Sequence, residues 1–314
     1  MTRTRHLEVT FNPKDSAPFT INELAFALFQ PQIFVKFQVE KQVSSEPNSA
    51  SLEIYNLSEE HSGAIDFKFD PFATQFGPQV TIKGGFIEDG PKQMYSGVVV
   101  QALTTFEAPD YITRVECRNI YYELMRRPIT YQAAAGQSKA DAVLSIIRQA
   151  GGIIESGQDT ALRTNLAGAV YDEDELIEGT LDSILTAFSK GLPRRIVVYW
   201  DDAGVSFDPL GLPTKGRETK IVSEINGLIG APRATTSGLE YETRLDATYR
   251  INDPVKVIST TTDRLAIASG GAAGIERSGI TVSSKIIHSG DNREGEFKTS
   301  VTTKFIDLLK QVTG

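Results

Sequence analysis

Ser51-Leu-Glu-Ile-Tyr-Asn-Leu-Ser58, followed by Val80-Thr-Ile-Lys-Gly-Gly-Phe86 and then Met94-Tyr-Ser-Gly-Val-Val99, reads as three β-strands, each with its turn. Upstream, in Ile33-Phe-Val-Lys-Phe-Gln-Val-Glu40, the residues Ile33, Val35, Phe37 and Val39 alternate with Phe34, Lys36, Gln38 and Glu40. That period of two belongs to a sheet with one buried face. Asp89-Gly90 sits between the Val80 and Met94 strands and is a favourable hairpin turn. Met94 to Thr104 can return across the sheet, and Tyr111 to Arg118 supplies a further strand. About five strands spaced by turns predict a small barrel over residues 1–120.

The middle of the chain changes period. Ser138-Lys-Ala-Asp141 has capping-box spacing, and Ala140, Val143, Leu144 and Ile147 repeat at helical spacing until Gly151-Gly152. A second helix is signalled from Thr180, with Leu181, Ile184, Leu185 and Phe188 on one stripe before Gly191 and Pro193. Arg195 to Trp200 then reads as a strand with a turn at Asp201-Asp-Ala-Gly204, so 121–225 is expected to be an α/β insert with two helices and a hairpin.

From about residue 219 the pattern is again β. Thr243 to Ile251, Val255 to Ser259, Ile280 to His288 and Phe297 to Phe305 are strand-rich, with turn clusters at Asn252-Asp-Pro254 and Ser289-Gly-Asp-Asn292. A second barrel is predicted over 226–304, with the Gly- and Ala-rich Arg264 to Gly274 as a loop. Phe305, Leu308, Leu309 and Val312 fall on one helical face, which predicts a C-terminal docking helix over 305–314 and marks those four residues as the candidate interface.

Composition narrows the class. At 314 residues with 40% apolar and 23% charged residues, the chain is expected to fold into two or three domains with their own cores. No apolar run approaches the roughly 20 residues that span a bilayer, and Met1-Thr-Arg-Thr-Arg-His6 leads into a strand pattern without an apolar signal core, so no cleaved export signal is expected. The net charge of −8 carries no basic stripe, which points away from a specific nucleic-acid binder.

Motifs for chemistry are sparse. Cys117, the single cysteine, shares a strand face with Tyr111, Thr113 and Val115 and reads as a buried filler rather than a nucleophile. His6, His61 and His288 have no metal-ligand spacing. Asp172-Glu-Asp-Glu175 breaks its alternation at Leu176 and lacks the glycine of a calcium loop, so a solvated loop is expected. Gly270-Gly-Ala-Ala-Gly274 is neither a dinucleotide nor a phosphate loop, and no Gly-x-Ser-x-Gly elbow occurs. Asn56-Leu-Ser58 fits the glycosylation triplet only incidentally. Tyr55, Phe86, Tyr95 and Phe106 can stack sugars or bases, but core and interface packing is the commoner use. No catalytic, cofactor-binding or metal-binding residue is therefore expected.

In order, Leu52 to Ser58, Val80 to Phe86, Met94 to Val100, Val115 to Leu124, Asn226-Gly-Leu-Ile-Gly-Ala-Pro232 with Thr235 to Leu245, and Ile280 to Thr299 containing His288-Ser-Gly-Asp291 resemble phage tail baseplate central hub proteins of the late control protein D-like family. The resemblance implies a fold that is mainly β with an α/β insert: two tail-tube-like β-barrel domains plus a small α/β domain. It also implies a structural virion protein of the tail baseplate, assembled in the host bacterial cytoplasm as a homotrimer. Such a trimer adapts a sixfold tail tube to a threefold central spike and lines the DNA channel. The implied partners are copies of itself, the tail tube or distal tail protein, the central spike, the tape measure protein, and DNA in passing. No lysozyme-like or spike-like stretch is recognised, so those functions are expected on separate proteins. A cell-wall-degrading hydrolase of the tail tip and a carbohydrate-binding module are the alternative readings.

Overall fold

The computed structural model describes residues 3–24, 32–43, 48–68, 77–190, 196–201, 204–209, 212–259 and 279–306. The first unit runs β1 (Arg5–Asn12), β2 (Phe19–Ile21), β3 (Val35–Gln42), β4 (Ser49–Tyr55), α1 (Glu59–Ile65), β5 (Phe67–Lys68), β6 (Gln79–Phe86), β7 (Lys92–Glu107) and β8 (Asp110–Asn119). The insert holds α2 (Tyr122–Met125), β9 (Pro128–Ala133), α3 (Lys139–Ala150), α4 (Gln158–Asn165), β10 (Glu175–Thr180), α5 (Leu181–Lys190), β11 (Ile196–Asp201) and β12 (Gly204–Pro209). The second unit follows with β13 (Lys220–Ser223), β14 (Leu228–Ala234), β15 (Leu239–Arg244), β16 (Pro254–Ile258), β17 (Ile280–Asp291) and β18 (Phe297–Phe305).

Alternation in the sequence becomes a cross-strand core. Val35, Phe37 and Val39 of β3 are buried while Lys36 and Gln38 face out. In register, Phe37 lies opposite Leu52 of β4, and Leu52 opposite Val115 of β8, which lies opposite Ala102 of β7. Such rows are the packing unit of a sheet. The first barrel runs β2-β1-β6-β7-β8-β4-β3 and curls until Leu7, Val9 and Phe11 of β1 share one core with β3. Among the described residues no ladder joins β2 to β3. Instead the Asn22 amide donates to the Ile33 carbonyl at 2.9 Å, and the Ile33 N–H donates to its Oδ1 at 2.7 Å. Asn22 stands at φ 56°, a left-handed conformation that asparagine tolerates well. Asn22→Ala is expected to lower the unfolding free energy by about 2 kcal/mol in urea titration, through two lost hydrogen bonds and a disfavoured backbone.

The second barrel, β13-β16-β17-β18-β15-β14, has its own core of Tyr199, Val222, Leu228, Tyr241, Tyr249, Ile251, Val255, Ile286 and Val301. The two barrels are one sheet: the free edge of β3 pairs with β17, with Phe37 opposite Gly290 and Val39 opposite His288. Helix α3 is capped as expected, the Ser138 hydroxyl accepting from the Asp141 N–H and Gly151 closing the helix in the left-handed region. Helix α5 also forms, and its Leu181, Ile184 and Leu185 pack into a separate insert core.

Asp89-Gly90 does lie in the connection of the β6–β7 hairpin, where Ile87–Asp89 forms a 3₁₀ turn that Gly90 ends at φ 73°. Several expectations are corrected. The strand expected over Thr243 to Ile251 stops at Arg244. Beyond it Asp246 accepts from the N–H and hydroxyl of Thr248, an Asx turn that takes the chain out of the ladder while Tyr249 and Ile251 remain buried. The insert carries two short helices, α2 and α4, and the antiparallel pair β9–β10, which brackets α3 and α4, besides the expected pair of helices and hairpin. Strand β13 pairs in parallel with β16 and so joins the ladder of the second barrel. Phe305 ends β18 opposite Thr281, its N–H donating to the Ser237 carbonyl, so it is a strand residue and not the start of a helix. Leu308, Leu309 and Val312, like Arg264 to Gly274, lie outside the described residues.

Candidate assembly surfaces

The insert is locked to both barrels by buried polar joints. On the first barrel, Lys41 of β3 pairs with Asp201 of β11 at 3.5 Å with both side chains buried, and Asn48 donates to the Trp200 carbonyl at 2.9 Å. Toward the second, the buried Asp208 carboxylate accepts from the Tyr199 hydroxyl at 2.7 Å, the Thr214 hydroxyl at 2.7 Å and the Asn252 amide at 3.2 Å. Arg217 bridges Glu155 of the insert at 3.0 Å and Asp253 at 2.9 Å, and the Ser206 hydroxyl donates to Glu155. A buried charge network with every partner in place fixes relative position more than it adds net stability. Burial raises the Asp253 carboxyl above its ordinary range, against the pull of Arg217.

Two apolar surfaces stand out on the outside. The β7–β8 hairpin overhangs the first barrel, and its tip carries Leu103, Phe106 (61% exposed) and Tyr111 (55% exposed), the two rings 4.9 Å apart. On the second barrel, the turn between β13 and β14 carries Ile225 at 90% exposure, flanked by the exposed Ile221 and Ile229. Exposed large apolar groups at sheet edges mark contact surfaces. Of the aromatic residues singled out in the sequence, Tyr95 is fully buried with its hydroxyl toward the Asn48 carbonyl, and Phe86 packs edge-on to Phe297. Tyr55 leans on Phe34, and Phe106 alone of the four is exposed. Phe106 was singled out in the sequence but not told apart from its buried fellows, because an exposed apolar residue on a strand looks the same as a buried one until the register is known; Ile225, in the turn after β13, was not singled out.

The titratable groups singled out in the sequence are packing elements. Burial pushes the Cys117 thiol far up, as fits an unreactive filler. His288 is buried in β17 with Nδ1 2.9 Å from the Thr299 hydroxyl and Nε2 without a partner; burial, then the Lys41 charge, lowers its pKa to about 3. His6, also buried, is lowered by desolvation. The folded chain thus refuses protons that the unfolded chain accepts below about pH 6.5, so stability is intact above that pH and is lost as pH falls toward the folded values. Each histidine is expected to steepen the loss by up to about 1.4 kcal/mol per pH unit between pH 6.5 and 5. His288→Gln should flatten that limb in urea titrations run across the window. Among the described residues no cluster of three or more His, Cys, Asp or Glu could hold a metal ion, and no helix is long and apolar enough to cross a membrane.

Two curled barrels fused edge to edge in one sheet, with an insert docked on both, define a β-rich protein with the fold of phage tail proteins. The fold is similar to the 43 kDa tail protein of prophage MuSo2 from Shewanella oneidensis, with a TM-score of 0.58 and 11% identity over 96% of this chain and 98% of that one. It is similar to the tail protein of Neisseria meningitidis MC58, with a TM-score of 0.54 and 7% identity over 95% and 96% of the two chains. A chain of the Francisella PdpA–VgrG complex matches with a TM-score of 0.52 and 8% identity over 96% of this chain and 58% of that one. At such identities the likeness is one of fold. No curated protein matches in sequence. The family model described as baseplate hub gp41 matches residues 6–266, and the chain belongs to that family. It is a structural protein of the phage tail baseplate.

Proposed function

We propose that three copies form the central hub of the baseplate, each presenting two barrels so that six similar units face a sixfold tail tube while the trimer faces a threefold spike. The fused sheet supports this reading: the β3–β17 ladder ties two tube-like barrels side by side within one chain, as a pseudo-hexameric ring requires. Membership in the baseplate hub family and the likeness to tail proteins support the setting. The Francisella neighbour belongs to a PdpA–VgrG complex, which suits a hub that carries further components. The role is non-catalytic, and tube, distal tail, spike and tape measure proteins are its partners. The acidic balance of −8 suits a channel along which DNA slides without sticking.

Sedimentation mass and cryo-microscopy of the assembled particle test the trimer; a monomer in the particle would sink it. Once imaging assigns the channel residues, reversing their acids to lysine is expected to slow genome delivery with assembly intact. Unchanged delivery would count against the channel role. The terminal stripe of Phe305, Leu308, Leu309 and Val312 is proposed as an interface, with Phe305 now a strand residue. A chain ending at Ile306 keeps β18 and should associate more weakly if that stripe binds a neighbour.

A further inference from the structure

Along the seam where the two barrels meet, three neighbouring hollows share Arg3 and run from the β1 start to the β13–β14 turn. Most charges there are already paired: Arg3 with Asp89, and Lys298 with Glu242 and Glu296. Arg5, Arg244 and Arg293 have no carboxylate partner among the described residues, against a single unpaired acid, Glu294. Arg5 donates to the Gly295 carbonyl and lies over Phe297, and Arg293 lies over Phe34, so both guanidiniums are held in place with charge to spare. Toward the other end of the seam, beside Arg244, protrude Ile225, 90% exposed, and Ile229 on β14, whose outer edge pairs with no strand among the described residues. The seam therefore offers apolar contacts, unpaired guanidiniums and a strand edge together.

The opposite combination occurs once among the described residues, on the insert. Asp172, Glu173, Asp174, Glu175 and Glu178 are all exposed and none forms an ion pair, while Leu176 among them is 57% exposed. Glu175 and the residues after it lie on β10, which among the described residues pairs with β9 alone and leaves its other edge open. Five carboxylates around one leucine on a strand edge complement three guanidiniums around two isoleucines on another.

We infer that the seam between the barrels receives the acidic β10 edge of a second copy of this chain, Arg5, Arg244 and Arg293 meeting the carboxylates and Ile225 and Ile229 meeting Leu176. Different patches face each other, so the contact is heterologous and closes into a ring when repeated around an axis. Like charges on each patch disfavour seam-to-seam and insert-to-insert contacts, which fixes the direction of the ring. Backbone groups at both edges are available to pair. The inference rests on the proposed homotrimer and names the surfaces that build it.

Full-length chains carrying Ile225→Cys and Leu176→Cys are mixed, oxidised and weighed; the native Cys117 is buried and does not compete. A disulfide-linked pair is expected in the mixture and in neither variant alone. Separately, Arg5→Glu with Arg293→Glu is expected to weaken self-association by about tenfold or more, and Glu173→Lys with Glu175→Lys on the other chain to restore it. A wild-type trimer by mass whose cysteine variants do not cross-link overturns the inference and leaves the homotrimer standing. A wild-type chain that is monomeric in the particle overturns both. Duplex DNA that the wild-type chain retains and the arginine variant releases, with self-association unchanged, assigns the seam to nucleic acid and also overturns the inference.

Discussion

Gly290→Val is expected to cost more than about 3 kcal/mol and to leave little soluble protein at 37 °C. Gly290 sits near the end of β17, opposite Phe297 of β18 on one side and Phe37 of β3 on the other, at the junction of the two barrels. Its φ of 149° is one that side chains rarely adopt. A Cβ there would press on the Glu296 carbonyl and stand 2.8 Å from the Phe297 Cα, so backbone would have to yield. The Asp291 N–H bond to the Glu296 carbonyl closes the same corner. Strain and clash therefore fall on the strands that fuse the barrels. Gly63→Ala is the control: in α1 nothing lies within 4 Å of an added Cβ, so a gain of about 0.5–1 kcal/mol is expected. Chemical denaturation of both variants checks the contrast, and equal effects would refute it.

Arg217→Met is the second large effect. The guanidinium and its partners Glu155 and Asp253 are each about seven-eighths withdrawn from solvent, with side-chain exposures of 14%, 13% and 13%. Removing the cation leaves Asp253 without its ion-pair partner and Glu155 with only the more exposed Arg250 at 3.7 Å, and it frees the Ile251 carbonyl, which Arg217 also binds at 2.6 Å. Breaking such a buried network by deleting one partner costs roughly 3–5 kcal/mol, the lower end applying where water still reaches the group. The Asp253 carboxyl, already raised by burial, keeps the Arg250 N–H bond but loses the Arg217 charge that also held it down. Adding Glu155→Gln and Asp253→Asn is expected to recover most of the loss, because the penalty lies in the orphaned charges. Limited proteolysis should show the insert released from the second barrel in Arg217→Met and held again in the triple variant. No recovery would mean that Arg217 acts by packing alone.

The strands whose alternation was readable are those with one wet face. β3 and β8 carry polar or charged residues at most alternate positions, so the buried rows through Phe37, Leu52 and Val115 were written in the pattern. Helix α3 was readable to the residue because Ser138 and Gly151 satisfy its ends locally. The 245–253 stretch misled for the opposite reason. Tyr249 and Ile251 are buried by neighbours far along the chain while Asp246 and Thr248 bend the backbone, and alternation of apolar residues cannot tell a buried turn from a strand. Of the candidate interface, Phe305 was claimed by β18 through its pairing with Thr281. The isoleucine and arginine seam had no local signature at all, since Arg5, Arg244 and Arg293 are brought together from both ends of the chain.

By itself the amino-acid order determined what short-range physics controls: strand period, helix caps, the change from β to α/β and back along the chain, and a thiol placed on a buried strand face. Tertiary structure alone decided that β3 meets β17 across some 250 residues, that one asparagine closes the first barrel, and that Asp208 and Arg217 bolt the insert in place. Those are long-range pairings of backbone edges and buried charges. Their partners are chosen by which surfaces the folded elements leave unsatisfied, and no local pattern of residues records that choice.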